Sequence, residues 1–471
     1  MNLVYNIKDR PKFAQLILFA LQQLLAILAA TIAVPTILNN GIAGIDIGMS
    51  QSAALFGAGV GTLVYQLFTR FKSPVFLGSS FAFISSMFVA FSGAVAVSVG
   101  YLGLILGALM AGLVYVVIAL AVKFFGVSWI SKLMPPVVIG PTVAIIGLSL
   151  AGNAVKDAVG FAQASNPYTM DWHAFLCLLC AIVTLATIFV CSVYGKKMMK
   201  LIPFIIGILA GYGVALVLTL IGTFVGVDAM KLIDFSAFRN MSWLPDFAFI
   251  KVFSEPMNFG EFGNFTSYLG TVAVAYVPVA FVVFAEHIAD HKNLSSIIGT
   301  DLTQEPGLHR TLLGDGVGSI IGAIFGGCPN TTYGESVGCV AITRNASVIT
   351  ITTTAIMAIV ASFFAPFVTF LSTIPSCVMG GVCISLYGFI AVSGLKMIQK
   401  VNLEESRNLF TVSIILICGI GGLTLKIGEV TLTAIACSLI LGILTNLLLN
   451  RKKTESTAPQ PTEESEIPTK E

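Results

Sequence analysis

Pro74-Val75-Phe76-Leu77-Gly78-Ser79-Ser80-Phe81 and Pro329-Asn330-Thr331-Thr332-Tyr333-Gly334-Glu335-Ser336 interrupt two otherwise apolar stretches of the chain in the same way. Each runs from a proline through a short extended segment to a glycine and small polar residues that open a new helix. Broken segments in corresponding places of the two halves of a hydrophobic chain point to a solute site, because the N-terminus of a half-helix presents unpaired backbone N–H groups. Extended backbone at membrane depth persists only where its N–H and C=O groups are paired or line a polar cavity. The two short strands are therefore expected to pair with each other. That pairing turns the helix starts at Ser79-Ser80-Phe81 and Gly334-Glu335-Ser336 toward one another near the bilayer midplane.

The composition agrees with this setting. Of 471 residues, 56% are hydrophobic and only 10% charged, too little polar surface for a water-soluble fold. Apolar runs of about 20 residues, long enough to cross the hydrocarbon core, are read at 13–38, 50–69, 99–122, 133–152, 172–194, 201–226, 265–291, 309–327, 348–371, 373–394, 406–425 and 429–449. With the broken segments at 74–92 and 329–345 the chain is read as an all-α polytopic membrane protein of fourteen transmembrane segments. Seven precede the polar stretch 228–262 and seven follow it. An odd number per half makes the second copy an inverted repeat of the first.

Charge fixes the expected orientation, since short cytoplasmic loops collect Lys and Arg. With both termini in the cytoplasm, all but Lys156, Lys231, Arg239, Lys251 and Lys426 of the 25 basic residues fall on the inner side. Removing either broken segment as a crossing would spoil that asymmetry. The basic start followed by an apolar run resembles a secretory signal, but the run continues to Leu38 and is too long for a cleaved segment. Residues 451–471, rich in Glu, Thr and Pro, are expected to form a disordered cytoplasmic tail. The nine cysteines, including the Cys177-x-x-Cys180 pair, fall in or beside apolar spans and read as packing residues. Pro135-Pro136 and Gly380-Gly381, at equivalent places in the two halves, read as helix-end punctuation ahead of hinges.

Acids inside the spans are the candidates for chemistry. An ionised carboxylate at the centre of a membrane helix costs about 2.5–3.5 kcal/mol on the insertion scale, so such residues seldom persist without a task. Glu286 and Asp290 lie one turn apart on a shared helix face. Glu335 opens the second half-helix, where the dipole favours a carboxylate. Asp315, between Gly314 and Gly316, reads equally as a functional acid and as a helix–helix hydrogen-bonding group.

Glu286-His287, Pro306-Gly307-Leu308-His309-Arg310, Pro329 to Glu335 with Gly338, and Ala341-Ile342-Thr343-Arg344 together resemble the uracil permeases of the nucleobase–ascorbate (nucleobase–cation symporter 2) family. Gly78 to Phe83, Met379-Gly380-Gly381-Val382 and Ala29-Ala30-Thr31 with Val34-Pro35 add to the likeness, which runs from about residue 12 to 450. The resemblance implies a core domain (13–126, spans 1–4, and 263–372, spans 8–11) and a gate domain (127–227, spans 5–7, and 373–450, spans 12–14). It also implies proton-coupled uptake of uracil across the cytoplasmic (inner) membrane by a homodimer. By the same resemblance Glu286 accepts from ring N–H groups with Glu335 opposite it. The backbone amides of Phe81 and Gly334 meet the ring carbonyls, the Phe81 ring and Ala30 pack the face of the base, and Tyr333 lines the site. Glu286, Glu335 and Asp290 are the groups expected to couple protons.

Two positions depart from that pattern. Uracil permeases commonly carry Glu-Asn-x-Gly where this chain has Glu335-Ser336-Val337-Gly338. They carry a histidine four residues after the first acid where this chain has Asp290, with His291 following it. A one-residue shift rotates a helical side chain by about 100°, so His291 does not take the same place.

Uracil is neutral and alternates ring N–H donors with carbonyl acceptors. Carboxyl groups and backbone amides supply the complementary set, and a site built of hydrogen bonds rejects analogues that leave a buried partner unpaired. The rival readings are a symporter of the same fold for a purine base such as xanthine or urate, an intramembrane hydrolase using the acids, and a passive channel. No residue pattern calls for a metal, an organic cofactor or nucleic acid.

Overall fold

The computed structural model describes residues 3–41, 47–126, 129, 135–160, 170–196, 198–239, 241–427 and 430–450. The tail expected at 451–471 lies outside the described residues. The first half contains α1 (Phe13–Gly41), α2 (Gln51–Phe68), β1 (Leu77–Ser79), a single 3-10 turn (Phe81–Phe83), α3 (Ile84–Ala90), α4 (Val97–Phe125), α5 (Pro136–Ser149), α6 (Ala151–Ala158), α7 (Trp172–Tyr194) and α8 (Pro203–Val225). After a polar connection come α9 (Phe265–Ile298), α10 (Leu308–Gly326), β2 (Asn330–Thr332), α11 (Gly334–Thr343), α12 (Val348–Ser362), α13 (Ala365–Ser372), α14 (Ser376–Ile398), α15 (Ser406–Ile420), β3 (Leu425–Ile427), β4 (Val430–Leu432) and α16 (Ala434–Asn450). Among the described residues, seven helices are long and apolar enough to cross a membrane: α1, α4, α5 with α6, α7, α8, α9 and α14. The chain is a mostly helical, multi-pass membrane protein.

Local chemistry sets the helix ends. Side chains of Ser50, Asp171 and Asn264 accept hydrogen bonds from the first-turn amides of Ala53, Ala174 and Ser267, satisfying donors that have no partner within the helix. Gly226, Gly299 and Gly327 end α8, α9 and α10 in the left-handed conformation that glycine adopts without a Cβ penalty. Pro135 is the N-cap of α5 and Pro136 its first residue, the expected punctuation. Gly380-Gly381 instead lies inside α14, where it lets helices touch: a Cβ on Gly380 would stand 2.4 Å from the Ala158 nitrogen, and one on Gly381 2.5 Å from the Ala181 carbonyl oxygen.

Three expected spans differ. The run read as one helix over 348–371 is the pair α12 and α13, bent by 82°. Pro366 in the first turn of α13 has no N–H to give the Ser362 carbonyl, and in a continuous helix its ring would clash with that carbonyl, so α12 stops at Ser362. The runs at 406–425 and 429–449 give the shorter helices α15 and α16, and the residues between them pair as an antiparallel hairpin of β3 and β4.

The two breaks meet. β1 and β2 pair antiparallel, with Leu77 opposite Thr332, Gly78 opposite Thr331 and Ser79 opposite Asn330. The ladder extends at both ends, from the Ser80 amide to the Pro329 carbonyl (2.9 Å) and from the Tyr333 amide to the Phe76 carbonyl (3.2 Å). Beneath it α2 and α10 run in close contact through Gly57-x-x-x-Gly61 and the glycines at 318, 322 and 326. A Cβ on Gly57 would stand 2.7 Å from the Gly322 carbonyl oxygen, and one on Gly61 2.8 Å from that of Gly318. In lipid, where apolar burial drives association weakly, such small-residue seams allow the backbone approach that holds helices together. Asn330 donates from Nδ2 to the Gly57 carbonyl at 2.9 Å and so ties β2 to α2.

Position in the molecule separates the helices. In its most apolar window α1 is 72% buried, whereas α8 is 33% buried. α1 is thus an interior helix that lines the site, and α8 has a broad apolar face for lipid.

Candidate functional site

A cavity of about 500 Å³ lies where the two breaks face α5, α8 and α14. Its polar wall is made by Ser80 and Phe81 from the first break, Thr331 to Glu335 from the second, and Glu286 and Asp290 from α9. Its apolar wall includes Val143 and Ile146 of α5, Phe204 of α8, and Leu386, Phe389 and Ile390 of α14.

The strand pairing is what brings the half-helix starts together. Gly78 permits it: a Cβ there would stand 2.3 Å from the Tyr333 ring, so any larger residue would push the second break away. The Tyr333 hydroxyl donates to the Ser79 carbonyl at 2.8 Å, so Tyr333 offers its ring, not its hydroxyl, to the cavity. Phe81 meets Tyr387 of α14 edge-to-face at 6.0 Å, closing one end. Ser336 clamps the assembly from behind. Its Oγ accepts from Gln23 Nε2 of α1 at 2.6 Å and from the Phe76 amide at 3.1 Å, linking both breaks to the interior helix.

The orientation of α9 is fixed by the face it hides. His287 and His291 are fully buried. His287 Nδ1 bonds Asp315 Oδ2 at 2.7 Å and Nε2 bonds Thr311 at 3.0 Å. His291 Nδ1 donates to the His287 carbonyl and its Nε2 bonds the Tyr65 hydroxyl at 2.7 Å, which also shares a hydrogen bond with the Ser73 hydroxyl. These bonds anchor α9 to α10 and α2. Because neighbouring helical residues point about 100° apart, burying the histidines turns Glu286 and Asp290 into the cavity. Asp290 Oδ2 accepts from Thr332 Oγ1 at 2.9 Å.

The cavity thus gathers Glu286, Glu335, Phe81, Gly334, Tyr333 and Asp290. Ala30 is buried elsewhere and does not line it; Ala26, one turn earlier on α1, does. Asp315 joins the hidden network, the hydrogen-bonding alternative of its two readings. Sequence reasoning missed Lys200, the one cation in the cavity lining among the described residues, and the apolar wall of α14. Leu386, Phe389, Ile390, Ser393 and Met397 recur at helical spacing, but α14 is apolar on every side and its pattern does not mark which face meets a cavity. The nine cysteines are free. Among the described residues no group of three or more His, Cys, Asp or Glu residues is placed to hold a metal.

Chemically the cavity offers carboxyl oxygens from α9 and α11 opposite first-turn amides with no acceptor inside their helices. It can accept and donate hydrogen bonds to one small, flat, polar ring held between apolar and aromatic side chains.

The Permease family (Xan_ur_permease) matches residues 14–428. Relatives include the uracil permease of Bacillus caldolyticus, 40% identical over 451 residues covering 95% of this chain and 94% of the relative. The uracil permease of Bacillus subtilis (strain 168) is 36% identical over 96% of both chains. That of Escherichia coli (strain K12) is 33% identical over 94% of this chain and 93% of its own. Among solved structures, the transmembrane domain of the cyanobacterial bicarbonate transporter BicA is similar with a TM-score of 0.58 and 17% identity, covering 94% of this chain and all of that one. The murine anion transporter Slc26a9 is similar with a TM-score of 0.63 and 12% identity, covering 95% of this chain and 70% of that one. These last two likenesses concern the fold.

Proposed function

Since the chain belongs to the Permease family and is therefore a membrane transporter and not an enzyme, we propose that it carries uracil inward together with a proton by alternating access. The observation that carries this reading is the convergence of Glu286, Glu335 and the half-helix starts at Phe81 and Gly334 on one cavity. The uracil permeases among its relatives, alike along nearly the whole chain, support the choice of substrate.

In the proposed pose the Glu286 carboxyl accepts from ring N–H, Glu335 lies across from it, and the amides of Phe81 and Gly334 donate to the ring carbonyls. The Phe81 ring packs on the base, with Ala30 supporting α1 behind Ala26. Glu286 and Glu335, with Asp290 beside them, carry the proton, since a carboxyl that changes its exposure between two states changes its hold on a proton. Fourteen crossings in two inverted seven-span repeats support the movement, with spans 1–4 and 8–11 as core and spans 5–7 and 12–14 as gate. Both termini are cytoplasmic in the inner membrane, and two copies form a homodimer. Under that topology Ser192, Lys200, Ile342 and Met397 lie at the inner mouth of the cavity, and the Phe81–Tyr387 contact closes its outer end. The site then faces inward.

Uptake by the purified chain in lipid vesicles tests this reading. Radiolabelled uracil is expected to accumulate when the inside is alkaline and to be lost on adding a protonophore, with unlabelled uracil competing better than xanthine, urate or cytosine. Glu286→Gln and Glu335→Gln are expected to abolish gradient-driven accumulation. Wild-type, pH-dependent accumulation in both variants would remove the two acids from the mechanism.

A further inference from the structure

We propose that Cys177 and Cys377 form a redox-sensitive thiol pair: a peroxide oxidises Cys177, and Cys377 then closes a disulfide that staples α7 to α14. Neither residue lines the cavity, so the chemistry is independent of the substrate proposed above.

Three observations carry it. The Cys377 thiol, in the first turn of α14, is within hydrogen-bond reach of both Cys177 and Cys180, which lie one turn apart on one face of α7. Glycine holds the two helices at that approach. A Cβ on Gly381, one turn after Cys377, would stand 2.5 Å from the carbonyl oxygen of Ala181, one turn after Cys177. The third observation is a base beside Cys177. His173 Nδ1 lies 3.0 Å from the Ala229 carbonyl, which only accepts, so Nδ1 carries the proton and Nε2 turns its lone pair to the Cys177 sulfur at 3.5 Å.

The three thiols are buried, whereas His173 is partly exposed at the end of α7. An oxidant little larger than water reaches such a site better than a bulky disulfide does, which selects hydrogen peroxide. His173 Nε2 takes the Cys177 proton, and the thiolate attacks one peroxide oxygen. The O–O bond breaks, Cys177 becomes a sulfenic acid, and the departing hydroxide leaves as water with the proton from His173. The Cys377 sulfur attacks the sulfenic sulfur, the S–O bond breaks, and hydroxide leaves with the Cys377 proton as a second water. Two thiols are oxidised to one disulfide, and one peroxide is reduced to two waters. Under the topology proposed above these helix ends face outside the cell, where thiols meet oxidants. The staple ties α14, which carries Leu386 and Phe389 of the cavity wall, to its neighbour.

The test treats the purified full chain in detergent with hydrogen peroxide, alkylates the remaining thiols and maps disulfides by mass spectrometry of unreduced peptides. Wild type is expected to give a Cys177–Cys377 crosslink that dithiothreitol removes, and a higher thermal midpoint when oxidised. Cys377→Ser is expected to leave Cys177 as a sulfenic acid that dimedone traps. A free thiol is only a few per cent thiolate at neutral pH, so His173→Ala is expected to slow the crosslink about tenfold. That rate is expected to recover above pH ~9, where the thiol ionises unaided, which a misfolded variant would not do. Peroxide-treated wild type that stays monodisperse without the Cys177–Cys377 crosslink, or that joins Cys177 to Cys180 instead, overturns the proposal. An oxidised midpoint no higher than the reduced one refutes the staple, and equal rates in wild type and His173→Ala refute the base. Should the variants fail to fold, the wild-type peptide map decides alone.

Discussion

Ser336 shows how much one hydroxyl holds in place. It receives Gln23 from α1 and the Phe76 amide that leads into β1, so Ser336→Ala leaves two buried donors without an acceptor. Leaving a buried donor unsatisfied costs about 1–3 kcal/mol. Thermal unfolding in detergent is expected to show that loss for Ser336→Ala. Removing both partners in Gln23→Leu/Ser336→Ala is expected to cost less than the sum of the single changes, because the pair acts together. Gly78 makes the complementary case. Gly78→Ala places a methyl group inside the space of the Tyr333 ring, and overpacking of this kind costs about 1–3 kcal/mol. Uracil binding is expected to weaken with it, since the two half-helix starts are pushed apart, and isothermal binding checks this.

At the scale of elements, the seam between α2 and α10 supports the paired strands from below. A side chain at Gly322 would meet Asn330 at 2.3 Å from its built Cβ. Gly322→Val is therefore expected to separate β2 from α2, lower the thermal midpoint and abolish uptake, whereas Gly338→Ala, with nothing within 4 Å, is expected to fold as wild type. Outside the spans, Lys72 near the start of the first break hydrogen-bonds Glu305, ahead of α10, at 2.6 Å. That hydrogen bond and the Lys72 charge hold the Glu305 carboxyl below its usual range. The contribution of such a depressed acid is present at neutral pH and is lost as pH falls through the lowered value. Both groups are solvent-exposed, so Glu305→Gln is expected to leave the thermal midpoint at pH 7 nearly unchanged. The two breaks were legible because Pro, Gly, Thr and Asn inside an apolar run are local signals. The bend before Pro366 carried the same kind of signal but sat inside a run long enough to read as one span. The β3–β4 hairpin carried none, because short apolar stretches look alike as strand or helix end.

The whole molecule shows the same division. Position in sequence identified Glu286, Asp290 and Glu335, since acids in apolar segments are conspicuous. Their facing was settled by His287 and His291, which bind Asp315 and Tyr65 behind α9, and that partnership spans residues far apart in the chain. Ala26 in place of Ala30, Lys200 and the α14 wall depend on how separate helices are rotated, which no single segment encodes. The account as a whole stands on one geometric claim, that one base is held between the carboxyls of α9 and α11 and the two half-helix starts. A cryo-EM structure of the wild-type protein saturated with uracil measures it directly. The account predicts density for the ring between Glu286 and the amides of Phe81 and Gly334. Density for the ring outside this cavity, or within it but out of hydrogen-bond reach of Glu286, would contradict it.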